Sequence, residues 1–153
     1  MVTTASVDCD AIDDAGKLGF TPHPPAPGFR QGKLLVMDDE AVIRKMLDAI
    51  LEQLGYEPVC VEEGAAAIAA FARAYEMGQP FTGVILDLHN RVGLGGKATL
   101  PKLLEIDPKV KAIVCSGDIS HPVMAHYQSY GFAGLLEKPF GVESLQQILH
   151  CLA

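Results

Sequence analysis

The sequence predicts a doubly wound α/β fold: a five-stranded parallel sheet between two layers of helices. Two observations predict it. Short apolar runs and amphipathic segments alternate five times between Lys33 and the end of the chain. The runs are also continuously apolar, not apolar at every second residue, which marks strands covered on both faces.

Each element follows from its own residues. KLLVM (33–37) is an apolar run that stops at Asp38 and reads as the first strand. In EAVIRKMLDAILEQLGY, Ile43, Leu47, Ile50 and Leu54 recur at helical spacing, and Gly55 is placed to end the helix. EPVCV is the second strand and GAAAIAAFARAYEMG the second helix. GVILD (83–87) is the third strand, and GKATLPKLLEID holds the third helix. KAIVCS is the fourth strand, and HPVMAHYQSYG is the fourth helix, opened by a proline near its first turn. GLLEK is the fifth strand, and VESLQQILHCL closes the chain as an amphipathic helix. Five such units fit the flavodoxin-like order 2-1-3-4-5.

Residues 1–32 differ in character. An acidic patch (Asp8, Asp10, Asp13, Asp14) precedes TPHPPAPGFRQG, and proline fixes φ and removes a donor, so this part reads as a Pro-rich linker or disordered leader. The domain proper is expected over 33–153. The leader suits a connector to an upstream domain as well as it suits a tail.

Composition narrows the function. The net charge of −7 over 153 residues argues against binding nucleic-acid phosphates. Four scattered cysteines without a CxxC pair point to reduced thiols. There is no run of about 20 apolar residues to cross a bilayer, and the N-terminus has no basic-then-apolar signal pattern. A cytoplasmic protein without direct membrane contact is expected.

Sheets of this kind place their site outside the carboxyl ends of the strands, where strand order reverses. Here the first strand ends in Asp38 and Asp39, the third in Asp87, the fourth in Ser116 and the fifth in Lys138. Any one acid at a strand end is ordinarily a turn former or helix cap. Three acids, a hydroxyl and an ammonium on one edge ask for more. Converging carboxylates repel one another unless a cation joins them. A hard divalent ion with oxygen ligands, Mg²⁺ or Mn²⁺, suits that set. A metal, a lysine and a serine can hold phosphoryl oxygens while a carboxylate attacks phosphorus.

LLVMDDE, VILDL, VCSGD and LLEKPF stand in the order and spacing of the receiver domain of bacterial two-component response regulators, and the chain resembles that family over about residues 33–152. It is similar in particular to receivers attached to hybrid sensor histidine kinases. The resemblance implies that Asp87 is the phosphoacceptor. Asp39 would ligate the metal directly, Asp38 mainly through water, and the backbone carbonyl of His89 would complete the protein ligands. Lys138 would pair with Asp87 and then with the phosphoryl group. Ser116 would bond a phosphoryl oxygen. The Lys138–Pro139 bond is expected to be cis. The partner implied is a histidine kinase or histidine phosphotransfer domain, with a possible homodimer through the fourth helix, fifth strand and fifth helix. Such a domain catalyses only its own phosphorylation and dephosphorylation. The alternative is an Asp-nucleophile, Mg-dependent phosphohydrolase, but no insertion is long enough to form a substrate-covering cap.

Two positions depart from the family pattern, and a third borders the site. Arg91 stands where a proline is usual, which predicts a looser loop and a side chain pointing to solvent. Leu135 replaces the frequent aromatic three residues before the lysine, so an aromatic switch is not expected. The ring of His89 borders the site, with its carbonyl the part expected to matter. Gly93–Gly96 reads as a flexible loop into the third helix, and Tyr127, Tyr130 and Phe132 as helix-face core.

Overall fold

A computed structural model describes residues 5–7 and 31–152. Its elements are β1 (Ala5–Val7), β2 (Gly32–Met37), α1 (Ala41–Gln53), β3 (Tyr56–Val61), α2 (Gly64–Glu76), β4 (Gly83–Asp87), α3 (Gly96–Ile106), β5 (Ala112–Ser116), α4 (Pro122–Ala125), β6 (Gly134–Glu137) and α5 (Val142–Leu149). Two 3₁₀ turns follow α4 and α5, at Tyr127–Tyr130 and His150–Leu152. The sheet order is β1-β6-β5-β4-β2-β3. Its five parallel strands, β2 to β6, have the expected order 2-1-3-4-5 when counted by themselves.

The continuous apolar character of the strands has a simple cause. Leu35, Met37, Val84, Leu86, Ala112 and Val114 face one core, shared with Ala67 and Phe71 of α2 and Leu100 and Leu103 of α3. The alternate residues Leu34, Val36, Ile85 and Ile113 face a second core with Leu47 and Leu51 of α1 and Leu145 and Ile148 of α5. Successive side chains of a strand point to opposite faces, so a sheet covered twice needs an apolar residue at every position.

Two features differ from expectation. The sheet has six strands, because Ala5–Val7, within the stretch read as leader, pairs antiparallel with β6. The proline-rich run lies outside the described residues. The fourth helix is also much shorter than expected. It makes one turn, breaks at His126 (φ −130°, ψ 44°) and resumes as the 3₁₀ turn. His, Tyr and Ser add little helix propensity there. Val123, Met124, Tyr127 and Phe132 still reach the core across the break. Tyr127 and Phe132 are thus core residues as expected, whereas Tyr130 is part-exposed with the Lys97 ammonium over its ring.

Candidate functional site

Strand register assembles the site. Met37 pairs with Leu86 across β2 and β4, so Asp38 and Asp87 leave adjacent strands side by side. Asp87 pairs with Cys115 on β5, and Ser116 pairs with Glu137 on β6, which sets Ser116 and Lys138 on the same edge. β2 lies between β3 and β4, so chain connections diverge there and leave a crevice at the strand ends.

Asp38, Asp39 and Asp87 each offer a carboxylate oxygen, and these oxygens lie within 4.8 Å of one another. Asp38 and Asp87 are only 2% and 3% exposed. Lys138 Nζ donates to Asp38 Oδ2 at 2.8 Å and to Asp87 Oδ1 at 3.2 Å. It also stands 3.6 Å from Glu40 Oε1. The Lys138–Pro139 bond is cis. Ser116 is buried. Its Oγ accepts from the Asp118 amide at 3.0 Å, and its carbonyl accepts from the Lys138 amide at 2.9 Å.

The charges are not balanced. Burial, then the negative charge of Asp38, pushes the Asp87 carboxyl up to about 7, against the opposing pull of Lys138. For Lys138, burial works against the charged form. The hydrogen bond to Asp38 and the surrounding negative groups outweigh it and hold the ammonium above its ordinary range. Three acids crowd together, two of them sharing the Lys138 ammonium, and the donor set is all oxygen. That chemistry fits a small divalent cation and not a soft metal.

The loop after Asp87 is tightly held, in contrast to the loose loop expected. Asn90 Oδ1 accepts from the amides of Val92 and Gly93 at 2.9 and 2.8 Å, and its Nδ2 donates to the Glu62 carbonyl at 2.8 Å. Arg91 does not simply face solvent. Its backbone amide and its Nε donate to Asp39 Oδ2 at 3.1 and 3.3 Å, although the side chain is 82% exposed. Burial raises the Asp39 pKa, but the bonds and charge of Arg91 prevail and lower it. The glycines serve close packing more than flexibility. A Cβ on Gly95 would stand 2.3 Å from the Leu88 carbonyl oxygen. The start of α3 can lie this close to the end of β4 only without side chains.

The His89 ring meets the His121 ring edge-on, 5.3 Å between centroids. Leu135 is half-buried against the first core. Arg44, which sequence reading did not single out, donates to the Asp38 carbonyl at 2.8 Å and holds the β2–α1 turn. Its position in the first turn of α1, six residues after Asp38, gave no signal of that contact.

The geometry agrees with what comparison with known proteins finds. The model of the response regulator receiver domain matches residues 34–150. The transcriptional regulatory protein AruR of Pseudomonas aeruginosa is 36% identical over 56% of this chain and 34% of its own length. A protein-glutamate methylesterase/protein-glutamine glutaminase of Paramagnetospirillum magneticum is 33% identical over 79% of this chain and 31% of its own. The chain therefore spans about a third of these relatives. Among solved structures, the receiver domain of a sensor histidine kinase from Pseudomonas aeruginosa, with magnesium coordinated in its active site cleft, has a TM-score of 0.69 at 22% identity, over 79% of this chain and 97% of that one.

Proposed function

Since the chain belongs to the response regulator receiver domain family, we propose that Asp87 takes a phosphoryl group from a phosphohistidine of a histidine kinase or phosphotransfer domain. A receiver is not a conventional enzyme: it catalyses only its own phosphorylation and dephosphorylation. The carrying observation is the convergence of Asp38, Asp39 and Asp87 around Lys138 at one sheet edge.

Asp38, Asp39, Asp87 and the His89 carbonyl would hold Mg²⁺. When bound, the ion supplies positive charge to phosphoryl oxygens and favours the ionised form of Asp87. Asp87 then attacks phosphorus, the P–N bond of the donor breaks, and its electron pair stays on the leaving imidazole. Lys138 remains with Asp38 and gains a phosphoryl oxygen as partner. For Ser116 Oγ to bond another phosphoryl oxygen, the strand end carrying it shifts inward. Hydrolysis returns Asp87 and releases phosphate.

The wider setting we infer is a cytoplasmic phosphorelay, with this chain as the C-terminal receiver of a hybrid kinase. The likeness to a sensor kinase receiver supports it. The relatives also include a transcriptional regulator, so a response regulator, stand-alone or part of a longer chain, is the competing setting. A homodimer through α4, β6 and α5 would have to accommodate β1 on the outer edge of β6.

The test is incubation with acetyl phosphate and Mg²⁺, read by intact mass. One phosphoryl adduct is expected on the wild type and none on Asp87→Ala. An adduct that survives the substitution overturns the assignment.

A further inference from the structure

Arg91 makes two bonds to one oxygen, and both depend on its being arginine and not an imino acid. The backbone amide donates to Asp39 Oδ2 at 3.1 Å, a bond that proline has no hydrogen to make. The guanidinium Nε reaches the same atom at 3.3 Å. Asp39 itself is largely covered, its side chain 8% exposed, whereas that of Arg91 is 82% exposed. Among the described residues, the ion pairs of this site divide cleanly. Lys138 serves Asp38, Asp87 and, more distantly, Glu40, while Arg91 serves Asp39. Lys138 is part of the buried site. Arg91 reaches in from outside on a loop fixed by Asn90, and its side chain can swing away into water without leaving a cavity.

We propose that Arg91 is a tethered counter-ion that competes with a divalent cation for Asp39 and so sets the metal affinity of the site. The inference rests on the reading of Asp38, Asp39 and Asp87 as the metal carboxylates. Without metal, Arg91 neutralises the most accessible of the three acids and occupies one of its oxygens. A metal ion entering the crevice has to take over that carboxylate, after which the guanidinium is free to face solvent. The site therefore trades one cation for another. The backbone amide keeps the loop close to Asp39, so the guanidinium is always at hand to return when the ion leaves.

The test is calorimetric titration of the full chain with Mg²⁺ alone, comparing wild type, Arg91→Gln, Arg91→Lys and Arg91→Pro. An exposed ion pair is worth little, so Arg91→Gln is expected to tighten binding by roughly two- to fivefold. Arg91→Pro also removes the amide bond and should bind at least as tightly as Arg91→Gln. Arg91→Lys keeps the charge and should stay near wild type. The gap between wild type and Arg91→Gln should narrow as monovalent salt rises, because a solvent-exposed pair is screened. If wild type and Arg91→Gln bind Mg²⁺ equally, or Arg91→Gln binds more weakly, the competition is refuted while the metal site stands. If neither binds Mg²⁺ at millimolar concentration, the metal reading itself falls, and this inference with it.

Discussion

Lys138 donates to two buried carboxylates, so a single ammonium serves two anions. Removing one partner of such a set leaves uncompensated buried charge, which costs about 3–5 kcal/mol. Lys138→Ala should lower metal-free stability by roughly that amount in urea unfolding at pH 8, and Mg²⁺ should restore part of it. Asp87 gives a second expectation, with a definite sign. Its carboxyl titrates near 7 when folded and near the ordinary 3.8 when unfolded. Between those values the folded state binds the extra proton. Metal-free stability therefore falls as pH rises from about 4 to 7 and levels off above. Asp87→Asn should be the more stable protein at pH 8 in EDTA, by up to about 4 kcal/mol, with the gap closing toward pH 4. Parallel pH profiles for the two proteins would show that Asp87 is not destabilising.

At the scale of elements, the strands and their terminal acids were readable because two-sided burial makes each strand an uninterrupted apolar run. The point where each run stops then locates the edge of the candidate site. Asp38, Asp39, Asp87, Ser116 and Lys138 were legible for that reason. The Asp39–Arg91 contact was not, because nothing in the spacing says which way an exposed arginine bends. The break at His126 was equally hidden: apolar spacing continues through it, as Val123, Met124 and Tyr127 all reach the core. β1 has three residues and no periodicity of its own. The glycine run was visible, but its reason is tertiary. Gly95→Ala would set a Cβ against the Leu88 carbonyl oxygen, so the start of α3 and the end of β4 must part. A loss of roughly 1–3 kcal/mol on thermal or urea unfolding is expected, as for an overpacked site. Unchanged stability would mean that the β4–α3 junction yields freely.

For the whole molecule, β1 decides what one border of the sheet presents. Without it, the outer backbone groups of β6 would be open, and an open edge is a template for pairing with another chain. Truncation of residues 1–7 should therefore increase self-association, measured by sedimentation as a concentration-dependent rise in mass. An unchanged monomer fraction would show that β6 needs no cover. The same strand is expected to be the first part of the sheet to open, since three residues give it few bonds. Its amides should exchange with deuterium well before those of β4.

That pairing also has a consequence for biosynthesis. Ala5 meets Leu136, nearly the whole length of the chain away. Ribosomes add about 5–20 residues per second, so the N-terminal strand waits on the order of ten seconds for its partner to be made. The βα units from β2 onward can collapse in the order they emerge, each against its predecessor. β1, made before its partner β6, is thus among the last strands of this sheet to find its place, and until then it is available to anything else that offers an edge.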